Sequence, residues 1–192
     1  ASILLQVAGV GDWHINADEP SVLDYNTDFK TANLITSLYA PDEFRISDHD
    51  PVIVGLDLNA PPNCANVSPS VATLWPPNHQ FVPIDVLGVS DPEGDSIAIT
   101  IDSIFQDEAV NAPGSGNTSP DGQGVGAATA QVRAERAGAG NGRVYHIRFT
   151  ARDGSGGACT SEVQVNVPPN KKDTAVDEGA LYDSTVSVAG AT

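Results

Sequence analysis

"RVYHIRFTA", residues 143–151, alternates strictly, with Tyr145, Ile147 and Phe149 on one side of an extended chain and polar residues between them. A period of two built from aromatic and β-branched residues marks a strand with one face buried. The same pattern recurs on either side. "SEVQVNV" (161–167) turns Val163, Val165 and Val167 inward, and "FVPIDVLG" (81–88) groups Val82, Ile84 and Val86. "SIAITIDSI" (96–104) groups Ile97, Ile99 and Ile101, and "TAQVRAER" (129–136) alternates as well. Turn chemistry separates these runs at "DPEGD" (91–95), "AGAGNG" (137–142) and "RDGSGG" (152–157).

From Cys64 to Pro168 the spacing predicts six or seven short antiparallel strands over roughly a hundred residues, the scale of an immunoglobulin-like β-sandwich. "PSVATLWPPNHQFVPIDV" (69–86) and "VRAERAGAGNGRVYHIRFTARDGSGGAC" (132–159) resemble such a module as it is appended to many secreted bacterial proteins. The Pro-rich "NAPPN" (59–63) breaks the chain ahead of it and reads as a linker. Upstream, "SILLQV" (2–7) and "PVIVGLDL" (51–58) read as buried strands, and only "DFKTANLITSL" (28–38) can form a short helix. Residues 169–192 read as an extended C-terminal tail. The expected fold is mainly β: an antiparallel sandwich over 64–168, preceded by a partial set of strands and one short helix over 1–58.

Nine Lys and Arg stand against 25 Asp and Glu, a net charge of −16. That balance argues against a nucleic-acid-binding surface, because phosphate contacts need cations to displace counterions. It suits a secreted protein and leaves carboxylates free for Ca²⁺ or Mg²⁺. No apolar run reaches the length of a membrane span. The chain opens at Ala1, which reads as a mature product or fragment with any export signal upstream. Two cysteines, Cys64 and Cys159, bracket the sandwich. They are expected to form a disulfide in an oxidising, extracellular compartment, the alternative being two buried thiols.

The most concentrated acid–base chemistry is "RISDHDPVIVGL" (45–56), with Ser47, Asp48, His49 and Asp50 at the mouth of a strand. An imidazole can move a proton or steady a phosphate, while a neighbouring carboxylate holds its tautomer or ligates a metal. As an isolated triplet, Asp-His-Asp has the composition of an ordinary solvated loop. Its surroundings add specificity. "WHINADEPSVLDYNTDF" (13–29), followed by "LYAPDEFRISDHDPVIVGLDL" (38–58), resembles the C-terminal end of the DNase I-like endonuclease/exonuclease/phosphatase family, and in particular its large secreted bacterial nucleases.

The resemblance implies that His49 contacts the scissile phosphate and shuttles a proton. Asp48 would help to hold the metal or orient an imidazole, and Ser47 would supply a supporting hydrogen bond. The reaction it implies is phosphodiester hydrolysis by an activated water, with Mg²⁺ or Mn²⁺ neutralising developing charge. That chemistry also needs a metal-binding Glu, an Asp-x-Asn pair and a second His, all N-terminal to this stretch. None of those positions exists here, and His14, His79 and His146 sit in unrelated motifs. The expectation is the C-terminal portion of a secreted metal-dependent nuclease or phosphodiesterase. It would act on nucleic acid only within the intact parent and be inert as this chain. The alternative is a self-assembling extracellular structural or adhesive β-protein, a homo-oligomer whose N-terminal strands pair with a neighbouring subunit.

Within the second region, Asp91, Glu93 and Asp95 alternate in a Gly-containing turn, and Asp107, Glu108 and Asp121 lie in flanking loops. Such carboxylates can supply the oxygen ligands Ca²⁺ prefers, although an Asp-Pro-x-Gly turn has the same composition. Arg133, Arg136, Arg143 and Arg148 could form a basic stripe, or pair with carboxylates such as Glu135. Trp75, between Leu74 and two prolines, is expected to cover one end of the core.

Overall fold

A computed structural model describes residues 7–12, 28, 30–38, 52–56 and 58–188. The described chain is mainly β, with antiparallel sheets and one short helix. In chain order its elements are β1 (Val7–Asp12), α1 (Ala32–Leu38), β2 (Val52–Leu56), β3 (Ser68–Pro69), β4 (Phe81–Ile84), β5 (Val86–Leu87), β6 (Ala98–Gln106), β7 (Gly122–Gln123), β8 (Ala130–Arg133), β9 (Arg143–Arg152), β10 (Ala158–Val167) and β11 (Tyr182–Asp183). They fall into two compact units, Ala1–Leu58 and Asn59–Thr192.

In the first unit β1 and β2 form an antiparallel ribbon, with Val7 opposite Leu56 and Asp12 opposite Val52. Its strands are apolar on both faces, and the side chains are open to solvent: Val10 is 67% exposed, Val52 60% and Ile53 56%. Strands that read as continuous apolar runs are those that larger folds bury on both sides. The expected short helix is present as α1. Thr31 caps it, its hydroxyl accepting the Leu34 N–H at 3.3 Å and its carbonyl accepting that of Ile35 at 3.0 Å.

In the second unit one sheet has the order β10-β9-β6-β11 and another the order β4-β8-β7, while β3 pairs with β5. Inward residues of both larger sheets meet in one cluster. Tyr145, Ile147, Phe149 and Ala151 of β9 and Val163, Val165 and Val167 of β10 pack with Ile84 of β4, Ile101 and Ile104 of β6, and Val132 of β8. The alternation expected for β9 and β10 is therefore the observed one. β6 departs from it. Its register slips between Ile101 and Ser103, so Ile104 is the next residue to return to the core, and Ile97 and Ile99 are only half-buried. The bulge leaves Asp102 and Ser103 consecutively on the outer face.

The ends of this unit differ from expectation in two places. The "linker" is fastened down: the Asn59 side-chain amide donates to Asp153 Oδ2 at 3.0 Å, Ala60 N–H donates to Glu93 at 3.3 Å, and Asn63 bridges to Ser90. The tail, read as extended, is tied in as well, since β11 pairs with β6 as a fourth strand. Ser184 is fully buried, and its carbonyl accepts the N–H groups of Asp121 at 2.9 Å and Gly122 at 2.8 Å. A Cβ on Gly122 would lie 2.9 Å from both Ile104 and Ser184, so glycine makes room for the tail to pass. Backbone hydrogen bonds hold this segment, which is why its side-chain pattern looks weak.

Cys64 and Cys159 form a disulfide with their Cα atoms 6.0 Å apart, tying the start of the unit to β10. Leu74, not the 41% exposed Trp75, caps the core. Among the described residues no helix is long and apolar enough to cross a membrane.

Candidate functional site

Ser47, Asp48 and His49 lie outside the described residues. β2 begins three residues after His49, at the end of the ribbon where Val52 faces Asp12.

The structure assembles a polar centre in which arginine pairs with carboxylates, one of the two arrangements the sequence offered for the arginines. Arg143, at the first position of β9, is fully buried. Its Nε donates to Glu108 at 3.0 Å, and its Nη1 donates to Asp121 at 2.8 Å and to the Tyr145 hydroxyl at 3.1 Å. Its Nη2 lies 3.9 Å from Glu135 Oε1, too far for a hydrogen bond. Gln106 donates to Asp121 Oδ2 at 2.9 Å, and the Tyr145 hydroxyl donates to the Arg133 carbonyl at 2.8 Å. Glu135, also fully buried, takes hydrogen bonds from His79 Nδ1 at 3.2 Å and from the Thr118 hydroxyl. Five buried atoms here have no hydrogen-bond partner among the described residues: Gln106 Oε1, Asp121 Oδ1, Glu135 Oε1, Arg143 Nη2 and Ser184 Oγ. Burial raises the Asp121 carboxyl above its ordinary pKa even with Arg143 beside it, and raises the Tyr145 phenol likewise.

The six carboxylates singled out as calcium ligands therefore separate into two groups. Glu108 and Asp121 face the Arg143 guanidinium, and Asp107 accepts the Val144 N–H at 2.9 Å. In the turn, Asp91 Oδ1 accepts the N–H groups of Glu93 and Asp95, both at 3.0 Å, as an Asx turn does. Glu93 receives Ala60 N–H, and Asp95 receives the Ser155 hydroxyl at 3.3 Å. Among the described residues no three His, Cys, Asp or Glu side chains are placed to share a metal ion. The four arginines form no stripe either. Arg143 points into the core and Arg148 outward from the same strand. Arg133 lies 4.3 Å over the Phe81 ring, and Arg136 binds the Pro168 and Pro169 carbonyls at 3.0 and 2.8 Å.

The outer face of the four-stranded sheet carries the remaining chemistry. Cross-strand register sets Arg148 opposite Glu162 and His146 opposite Gln164. His146, only 5% exposed, is held at both ring nitrogens: Nδ1 meets Glu162 at 2.7 Å, and Nε2 meets Asp177 of the tail at 2.9 Å. Two acceptors demand two N–H donors, which is the imidazolium. Burial alone would depress its pKa, but the two carboxylate hydrogen bonds outweigh burial and raise it above the ordinary 6.5. Despite their own partial burial, Glu162 and Asp177 are held below their ordinary values by these contacts, Glu162 also by Arg148 and Asp177 by Gly179 and Gln164. A lone sequence cannot pair His146 with Asp177. The alternation of His146, Arg148 and Glu162 on strand faces turned away from the core was the available signal.

The linkage has a definite sign. The His146 contribution is complete below about pH 6.5 and is lost as pH rises through the higher folded-state value, whereas the two carboxylates contribute above about pH 4. Attachment of the tail is thus strongest in the mildly acidic window between. Raising the pH above that window removes one N–H donor and about 1 kcal/mol. Amide exchange at Leu181 and Ser184 is expected to accelerate above neutral pH more than intrinsic exchange does. The His146→Gln variant is expected to lack that extra acceleration.

Compared with known proteins, the sequence matches no family model, and no curated protein or solved structure shows a significant similarity to it.

Proposed function

We propose that this chain is the C-terminal portion of a secreted, metal-dependent nuclease or phosphodiesterase of the DNase I-like class, followed by an immunoglobulin-like β-sandwich module. The observation that carries the reading is the β1–β2 ribbon. It is apolar on both faces, exposed on both, and its second strand begins three residues after His49 in the sequence. A two-stranded ribbon is marginal in water, and this one has the side chains of strands sandwiched inside a larger domain. In that setting His49 and Asp48 would join a metal-binding Glu, an Asp-x-Asn pair and a second His supplied by preceding chain, and Mg²⁺ or Mn²⁺ would neutralise charge on the phosphate. The disulfide and the excess of acidic residues favour secretion.

The test uses the full-length product of the gene that encodes this chain. Supercoiled DNA with Mg²⁺ should be cleaved, and His49→Ala should reduce kcat by about 10³-fold or more with little change in KM. Undiminished cleavage by the variant overturns the reading.

The exposed ribbon also favours a second reading, a self-assembling extracellular β-protein in which the ribbon adds to the sheet of another copy. Light scattering that shows only monomer at low micromolar concentration removes it.

A further inference from the structure

We propose that the outer face of the β10-β9-β6 sheet binds a neutral oligosaccharide. The proposal goes beyond the nuclease reading and does not rest on it.

A shallow groove of about 670 Å³, within the size range of small-ligand sites, is lined by Asp102, Ser103, Arg148, Thr160, Ser161 and Glu162. It continues past Ser103, Arg148 and Glu162 into a recess of about 160 Å³ bounded by Phe105, His146 and Ala180 of the tail. A bulge commonly re-aims side chains toward a binding surface, and this one presents Asp102 and Ser103 together. Asp102 is oriented by the Thr150 hydroxyl at 2.8 Å. Arg148 is anchored only through Nε, to Glu162 at 3.2 Å, with its side chain 70% exposed. Both terminal guanidinium nitrogens are thus left without a partner among the described residues, on a side chain whose direction is already set.

Charge and polarity decide the ligand class. A phosphate backbone or polyuronate would meet Asp102, Glu162 and Asp177 within a chain of net charge −16, while the cations there, Arg148 and the His146 imidazolium, are already bonded to Glu162 and Asp177. The groove's other aromatic residue, Phe149, is buried in the core, so an apolar ligand would find the half-buried Phe105 ring and Ala180. A sugar fits both limits. Its hydroxyls can donate to the carboxylates and accept from Arg148, and its C–H face can lie on Phe105. A groove open to solvent suits a chain of such units rather than a single ring.

The 192-residue chain would be titrated with cellohexaose, xylohexaose, maltohexaose and chitohexaose, followed by calorimetry and by amide chemical shifts. At least one should bind saturably with a Kd in the range of about 10 μM to 1 mM, shifting amides of β6, β9 and β10. Arg148→Ala and Asp102→Ala, both at exposed positions, should each weaken binding about tenfold or more and leave the melting temperature unchanged. The proposal is overturned if none of the four binds at about 10 mM, or if both variants bind as the parent chain does. It is equally overturned if an oligogalacturonate or a single-stranded oligonucleotide binds this face more tightly than all four.

Discussion

Replacing Arg143 with Met will lower the unfolding free energy of the second unit by about 3–5 kcal/mol, the cost of stranding buried charge. The guanidinium is the only cation in hydrogen-bond contact with Asp121 among the described residues, and Asp121 and Glu135 are both fully buried. Arg133 does not replace it, since its Nε lies 3.9 Å from each carboxylate. Removing one partner of such a group costs more than removing the group. The double variant Arg143→Met/Asp121→Asn should therefore recover at least about 1 kcal/mol of the loss, a coupling that distant sites would not show. Arg148→Ala, on the outer face of the same strand, should change stability by no more than about 0.5 kcal/mol. Urea unfolding of the three variants separates these cases. A loss below about 1 kcal/mol for Arg143→Met would mean that the cluster is not dry.

Breaking the Cys64–Cys159 disulfide is the second large change. The bond closes a loop with a sequence separation of 95 residues, and its sulfurs pack against the core cluster. Constraint of so long a loop in the unfolded chain is worth roughly 4–5 kcal/mol in the chain-entropy treatment, and native disulfides in comparable domains contribute about 2–5 kcal/mol. Thermal unfolding of Cys64→Ala/Cys159→Ala is expected to shift down by on the order of 10 °C. An unchanged melting temperature would show that the strand network alone fixes both ends of the unit. That network includes Asn63 paired with Ser90 and the full-length register of β10 on β9.

Much of the second unit was legible in the sequence because two-residue alternation is a direct record of which face meets the core. Tyr145, Ile147, Phe149, Val163, Val165 and Val167 point inward as that rule requires. The rule fails where the backbone departs from regular pleating. The bulge at Asp102 moved Ile104 inward, and no local residue preference announces it. The strand at Tyr182–Asp183 was invisible for a related reason, since Ser184 and Gly122 hold it through backbone groups. Arginine burial was the hardest feature to foresee. Arg143 follows the inward register of β9, yet a charged residue there is tolerated only because Glu108, Asp121 and Tyr145 arrive from elsewhere in the chain. Loop carboxylates of that kind carry the same composition whether they face a guanidinium or a cation.

The histidine motif is legible by resemblance alone, and it lies outside the described residues. The central proposal is that this chain holds the end of a phosphodiester-hydrolysing domain without the groups that complete its metal site. Incubating the 192-residue chain with supercoiled DNA and Mg²⁺ or Mn²⁺ tests it most directly. The account predicts no cleavage above the buffer rate, with His49→Ala indistinguishable from the parent chain. Sustained, metal-dependent turnover that disappears in His49→Ala would contradict it.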